Sequence, residues 1–529
     1  MCAMRFDSPG KSWNRRSFLK TAAGGIMAWP LLGSQASAFV RSQLRLPSNP
    51  FTLGVASGDP SPDGFVLWTR LAPNPLEGGG MPAQNVEVKW EVADDEAMSR
   101  PIIKGTTVAT PDLAHSVHVE VPGLKPDRWY FYRFTAAGEA SPVGRARTAP
   151  ARGTTPEKLK FAFASCQHWE SGLYTAYQHM AKEGLDLVAH LGDYIYEGGP
   201  TTKGVRRHSD IESGAKLLTL LDFRNRHAQY KTDEHLQAAH AMCPWLVTWD
   251  DHEVMNNYAT LISENPKETV EEFASKRAAA YRAYYEHMPL RSSAIPKGPD
   301  MQLYRSVSFG GLAEFAVLDT RQYRSDQPCG DGNKPPCPEV FDEKRTILGD
   351  TQEKWLYDTL TKSGAKWNIL AQQVMVGRLD RTVGEEVTYP LDQWPGYEAS
   401  RQRLLKHFKA NPDLNPVVLT GDIHANFVHD LVIDDRATGQ PVVGTEFVGT
   451  SISSSGDGVE KRKGHDEIMS ENPCMKFMNG ERGYVSCEVT PSTWTSKYQV
   501  VPVVSKPGGE LVTRKTYVVE NGRPGAQEA

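Results

Sequence analysis

Three apolar runs in this chain end in the same chemistry, and this restricts the fold more than any other feature. Pro416-Val417-Val418-Leu419 leads into Gly421-Asp422-Ile423-His424, Leu187-Val188-Ala189-His190-Leu191 into Gly192-Asp193, and Trp245-Leu246-Val247-Thr248-Trp249 into Asp250-Asp251-His252-Glu253. Short apolar runs bounded by turn residues read as buried strands of an α/β sheet. Ligands of such sheets bind beyond the carboxyl ends of the strands, so residues just past those ends share one crevice. A single strand-end Asp more often caps the following turn or helix. Three coincident occurrences, two of them with His, point instead to a polynuclear metal centre.

A chain of 529 residues exceeds one ordinary domain. Residues 46–150 hold short alternating runs such as Val86-Glu87-Val88-Lys89-Trp90 and Trp129-Tyr130-Phe131-Tyr132, the spacing of a small antiparallel β-sandwich. Val121-Pro122-Gly123-Leu124-Lys125-Pro126 resembles the corner of fibronectin type III-like domains. The polar, Pro-containing segment 147–157 marks a boundary. Over 158–518 strand and helix patterns alternate, with strands expected at 159–165, 185–191, 245–248, 303–309, 313–318, 367–372 and 417–420 and helices at 173–182, 268–286, 352–360 and 398–409. Two late strands are expected at 498–504 and 511–518, and residues 519–529 read as a loose tail.

The first 38 residues read as an address. Arg15-Arg16 with Phe18-Leu19, an apolar stretch over 21–33 and Ala36-Ser37-Ala38 occur in the order of a Tat signal peptide, with Asn14 in place of the usual Ser or Thr. This predicts engagement of the Tat translocase and a periplasmic or secreted destination. The signal holds Arg5, Lys11, Arg15, Arg16 and Lys20 against Asp7, so removing its net +4 takes the formal charge from −5 to −9. An acidic mature chain is not built to grip nucleic acid phosphates, and no segment reaches the roughly 18 apolar residues of a stable membrane span. Of seven cysteines, Cys2 leaves with the signal; Cys329 and Cys337 bracket a loop short enough for a disulfide, and Cys474 with Cys487 is a second candidate pair. Cys166 and Cys243 remain over.

Each strand end offers its own donors. Cys166 closes the first strand of the 158–518 region, and a soft thiolate beside carboxylates suits iron or zinc. Tyr196, three residues after Asp193, adds a phenol whose deprotonated form favours a trivalent ion such as Fe(III). Asp250-Asp251-His252-Glu253 with Asn256-Asn257 is rich in oxygen donors, as Ca²⁺ or Mg²⁺ requires.

Together with Leu318-Asp319-Thr320-Arg321-Gln322-Tyr323, these motifs resemble the PhoD-like alkaline phosphatases/phosphodiesterases of the metallophosphoesterase superfamily, over nearly the whole mature chain. The resemblance implies an α/β four-layer sandwich of two sheets flanked by helices, preceded by the small β-sandwich, and a centre of one Fe³⁺ with one or two Ca²⁺. Cys166, Asp193, Tyr196 and His424 match the iron side. Asp193 would bridge to calcium, with Asp250, Asp251, Asp422 and Asn257 (or Asn256) around it. Met255 stands where many relatives carry an acidic or otherwise different residue, so a calcium shell that used that acid would be weaker or different here.

The expected reaction is hydrolysis of small phosphoesters by a metal-activated oxygen nucleophile, with His252 protonating the leaving group or bonding the phosphate and Arg321 as a candidate phosphate contact. His168 is a weaker candidate of the same kind, and residues 449–456 are a candidate wall of the substrate path. A Ser-nucleophile hydrolase lacks its Gly-x-Ser-x-Gly elbow here. The remaining alternative is a metal-free exported binding protein with a degenerate phosphatase fold, against which Cys166, Tyr196 and His424 stand.

Overall fold

The computed structural model describes residue 46 and residues 48–209, 214, 216–437 and 439–529. The expected Tat signal, residues 1–38, lies outside them. Arg45–Ala529 form one compact unit.

Side-chain alternation builds its layers. Along the strand Leu159–Ala164, Leu159, Phe161 and Phe163 face one core while Ala162 and Ala164 face another. Leu187–His190 divides likewise, Leu187 and Ala189 from Val188, and Trp245–Val247 separates Leu246 from Trp245 and Val247. A period of two on strands buried on both faces produces this division. The first core is shared with Phe315, Val317, Ile369, Ala371, Val417 and Leu419 of a second sheet, so two sheets pack face to face. Behind the first sheet lie the helices Thr175–Met180, Leu220–Lys231, Glu234–Met242 and Val270–His287. Behind the second lie Gly349–Lys362 and Glu398–Ala410, against Ala316, Leu370 and Val418. The result is four layers.

Among the described residues the first sheet has ten strands and the second seven. In the ten-stranded sheet Leu159–Ala164, Leu187–His190 and Trp245–Val247 run parallel as neighbours. In the seven-stranded sheet Ala313–Val317, Trp367–Ala371, Pro416–Thr420 and Gly444–Val448 do the same. The Val270–His287 helix starts at Thr269, whose hydroxyl and the Glu272 carboxylate make a capping box.

The boundary at 147–157 does not divide the sheets. Val55–Ser61 lies parallel to Trp245–Val247 and continues through Gly64–Arg70 and Ser116–Val121 as the far edge of the ten-stranded sheet. Val86–Ala93, Pro101–Ala109 and Trp129–Ala136, with two short strands, form the separate N-terminal sheet.

Two expectations need correction. Residues 519–529 are not loose: Arg523–Glu528 pairs with Val512–Glu520, and Gly525 and Ala526 donate their amides to Thr445 Oγ1 and Asp430 Oδ1, both at 3.1 Å, on the seven-stranded sheet. These bonds are made by main chain, which the polar composition conceals. Cys329 and Cys337 are bonded to each other, but Cys474 and Cys487 are both free. Cys487 sits within Arg482–Val489 of the ten-stranded sheet, whereas Cys474 precedes Met475–Asn479 of the seven-stranded one. Different sheets hold them.

Candidate metal centre

The converging loops turn sharply. Cys166, Asp193, Asn257, Asp422 and His424 adopt φ of +59°, +55°, +49°, +61° and +54°, a region non-glycine residues seldom enter and which concentrates at functional sites. Gly192, at φ +108°, sits so close to the next strand end that a Cβ would lie 2.5 Å from Asp250 Cβ. A Cβ on Gly421 would lie 2.6 Å from Ser165 Oγ, across from one sheet to the other. Gly192 lets neighbouring strand ends of the ten-stranded sheet touch, and Gly421 lets the two sheets touch.

On one side of the cleft, ligand atoms of Cys166, Asp193 and His424 all lie within 4.8 Å of one another. The Tyr196 hydroxyl joins them, donating to Asp193 Oδ2 at 2.8 Å and lying 3.1 Å from His424 Nε2. Ser454 Oγ is 2.7 Å from Tyr196 Oη, and Ser455 Oγ is 2.9 Å from His424 Nδ1. Burial, then the Asp193 charge, pushes both the Cys166 thiol and the Tyr196 phenol well above their ordinary ranges. Burial likewise raises Asp193. Such groups keep their protons until a cation replaces them.

The other side is all oxygen. Asp250, Asp251 and Asp422 offer atoms within 4.8 Å of one another, and Asp193, Asp251 and His252 form an overlapping group that joins the two sides. Arg321 is the internal counter-charge: Nε is 2.5 Å from Asp250 Oδ1, Nη1 and Nη2 are 2.9 and 2.8 Å from the two oxygens of Asp392, and Asp251 and Asp422 lie at 3.7 and 3.8 Å. With Arg324 Nη1 3.1 Å from Asp392 Oδ1, two guanidiniums face four carboxylates, so the cluster still lacks positive charge. Among the described residues, Asp193 Oδ1 and Asp250 Oδ2 are buried without a hydrogen-bond partner. A buried carboxylate oxygen left bare is costly unless a cation meets it. The donor set therefore fits metal ions: sulfur, phenol, imidazole and carboxylate on one side, carboxylates alone on the other.

Two acids hold this frame. Glu253 accepts the amides of Asp193 (3.1 Å), Asp250 (2.8 Å) and Tyr194, tying two strand ends to one carboxylate; burial raises its pKa to about 7. Glu197 Oε2 is 2.7 Å from His252 Nδ1, and the His252 ring lies on Tyr196 at 4.2 Å between centroids. Burial alone would strip the His252 proton, but Asp251, Glu197 and Asp193 outweigh it and hold the imidazole well above its usual value.

The structure brings Cys166, Asp193, Tyr196, Asp250, Asp251, His252, Asp422 and His424 to one place. Asn257 lies at its edge, its amide nitrogen on Asp251 Oδ2 at 2.8 Å and its side chain donating to Asp331 of the disulfide loop at 2.6 Å. Asn256 turns away to Glu264, and Met255 is buried in the helical core with Ser263 on its sulfur. Arg321, expected to touch phosphate, is fully buried with its donors engaged by carboxylates. Sequence reasoning missed Asp392 and Gln393, the latter donating to Asp422 Oδ2 at 2.6 Å; their loop follows only the two-residue strand Tyr389–Pro390 and carries no motif. Of residues 449–456, Ser454 and Ser455 reach the centre, on Tyr196 and His424.

Residues 161–498 match the PhoD-like phosphatase family, and residues 34–150 match its N-terminal domain. The chain is 51% identical over 525 residues to alkaline phosphatase D of Bacillus subtilis (strain 168), covering 98% of this chain and 89% of that protein. It superposes on a solved structure of PhoD with a TM-score of 0.89 at 53% identity, covering 92% and 93% of the two chains. The chain belongs to the PhoD-like phosphatases.

Proposed function

We propose that this chain hydrolyses small phosphoesters at a centre of one Fe³⁺ and one or two Ca²⁺, after export by the Tat translocase to the periplasm or beyond. The observation that carries the reading is the meeting of Cys166, Asp193 and His424 within 4.8 Å, with the Tyr196 phenol 2.8 and 3.1 Å from two of them. The thiolate suits iron and the phenolate favours its trivalent form, while Asp250, Asp251 and Asp422 offer the hard oxygens calcium takes. Bound there, the ions would acidify a water nucleophile and offset charge on the phosphoryl oxygens.

The chain's own side chains supply the rest. Glu197 engages His252 Nδ1, leaving Nε2 for substrate, and its carboxylate favours the protonated ring. His252 thus holds a proton for the departing alkoxide, the task of a general acid. Asp392 and Arg321 fix Asp250 from behind. Glu253 holds the Asp193 and Asp250 loops in register.

The test is the colour and metal content of the purified protein. Iron and calcium should be found by elemental analysis, with a visible phenolate-to-iron band and a nitrophenyl phosphate or diester hydrolysed. Tyr196→Phe should lose the band, and chelator should abolish turnover. A colourless, iron-free wild type with full activity sinks the assignment.

A further inference from the structure

Outside the central cleft a second set of donors converges. His168, Glu170 and His208 offer ligand atoms within 4.8 Å of one another. His168 and Glu170 come from the turn Trp169–Ser171 and its cap; His208 comes from the segment that wraps over it. That segment is firmly attached, with Glu170 Oε1 accepting the amides of Thr201 (2.9 Å) and His208 (3.0 Å) and Arg206 stacked 3.7 Å over Trp169.

The other halves of these side chains are unspent. Among the described residues, Glu170 Oε2 and His208 Nδ1 are both buried without a hydrogen-bond partner, in residues that are each 2% exposed. They lie 3.6 Å apart, beyond the usual 2.7–3.2 Å of a hydrogen bond. Two ligands of a tetrahedral zinc ion, each about 2.0–2.1 Å from it, lie roughly 3.4 Å apart. The separation suits a shared ion better than a direct bond. The outer nitrogens are already engaged: His208 Nε2 is 3.0 Å from Tyr230 Oη, and His168 Nδ1 is 2.6 Å from Ser171 Oγ, which leaves His168 Nε2. Ligating imidazoles use their second nitrogen in this way.

We infer that His168, Glu170 and His208 form a separate binding site for a divalent transition ion of the zinc class. Two imidazoles and one carboxylate are the borderline donor set zinc takes when a fourth position stays open. The site adjoins Tyr196, whose ring lies 4.6 Å from the His168 ring and 4.2 Å from that of His252. An ion there would brace the wall that carries the phenol. This inference does not depend on which metals fill the central cleft.

The test is anomalous diffraction at the zinc edge from crystals of the intact protein soaked in Zn²⁺, with a competitive zinc titration in solution. A peak bounded by His168, Glu170 and His208 is expected. Glu170→Gln keeps the oxygen that caps Thr201 and His208. It should weaken that zinc equivalent by more than the about 10–100-fold typical of outer-sphere partners, with the central phenolate band unchanged. No peak at the triad, or identical zinc uptake by wild type and Glu170→Gln, overturns the site. If the variant does not fold, the wild-type map alone decides.

Discussion

At the scale of single residues, the centre is governed by a shortage of positive charge. Arg321 neutralises part of a four-carboxylate group, and removing one member of a buried ion cluster costs about 3–5 kcal/mol. Arg321→Gln should therefore destabilise chelator-treated protein by roughly that amount, and less when metal is restored, because cations then take over the same carboxylates. Equal losses with and without metal, in denaturant melts, would show that Arg321 does not share the cluster's charge. His252→Gln keeps a ring-sized polar group but cannot hold the proton, and kcat should fall by about 10²–10⁴-fold. An active-leaving-group substrate such as a nitrophenyl ester should suffer less than an alkyl ester, since its departing oxygen needs no acid. The residues that supply donors were legible in the sequence because each follows an apolar run. Asp392 was not, because its partner Arg321 lies 71 positions away and only the folded chain joins them.

At the scale of elements, most of the parallel strands were readable from their apolar runs, as were the Val270–His287 and Glu398–Ala410 helices, but Gly444–Val448 and Val55–Ser61, which also pair in parallel, were not read. Leu220–Lys231 and Glu234–Met242 were not read. The buried side of Leu220–Lys231 includes Asp222, Arg226, His227, Gln229 and Lys231, so its inward stripe carries no hydrophobic period to detect. The terminal strand escaped for the complementary reason, since its role is main-chain pairing. Arg523–Glu528 covers the edge of Val512–Glu520 and links to the seven-stranded sheet through Gly525, Ala526 and the Lys476 ammonium on the Ala526 carbonyl. Ending the chain at Asn521 should lower stability by several kcal/mol, at about 1 kcal/mol net per lost hydrogen bond, and expose a sheet edge prone to association. Thermal melts and light scattering would show it. A truncated protein that melts with the intact chain and stays monomeric would mean the strand contributes nothing.

Across the whole molecule, buried cationic groups set how stability follows pH. Burial pushes Lys231 down to about 7 from 10.5, where its ammonium lies 4.3 Å over Trp68 and 3.4 Å from His240. Burial holds His118 and His429 near 4, against an ordinary 6.5. In each case the folded state binds protons less readily than the unfolded chain, so within the window between the two values the unfolded state holds more protons and stability rises with pH. For the histidines that window runs from about 4 to 6.5, and stability is lost on acidification through it. For Lys231 it runs from about 7 to 10.5, so the fold should gain stability as the medium turns alkaline, by up to about 1.4 kcal/mol per pH unit for one titrating group. Lys231→Met fills a similar volume without a charge. Its urea midpoint should exceed that of the wild type at pH 7, and the difference should shrink steadily toward pH 10. A difference that stays constant over that range would show that the lysine does not change its protonation on folding.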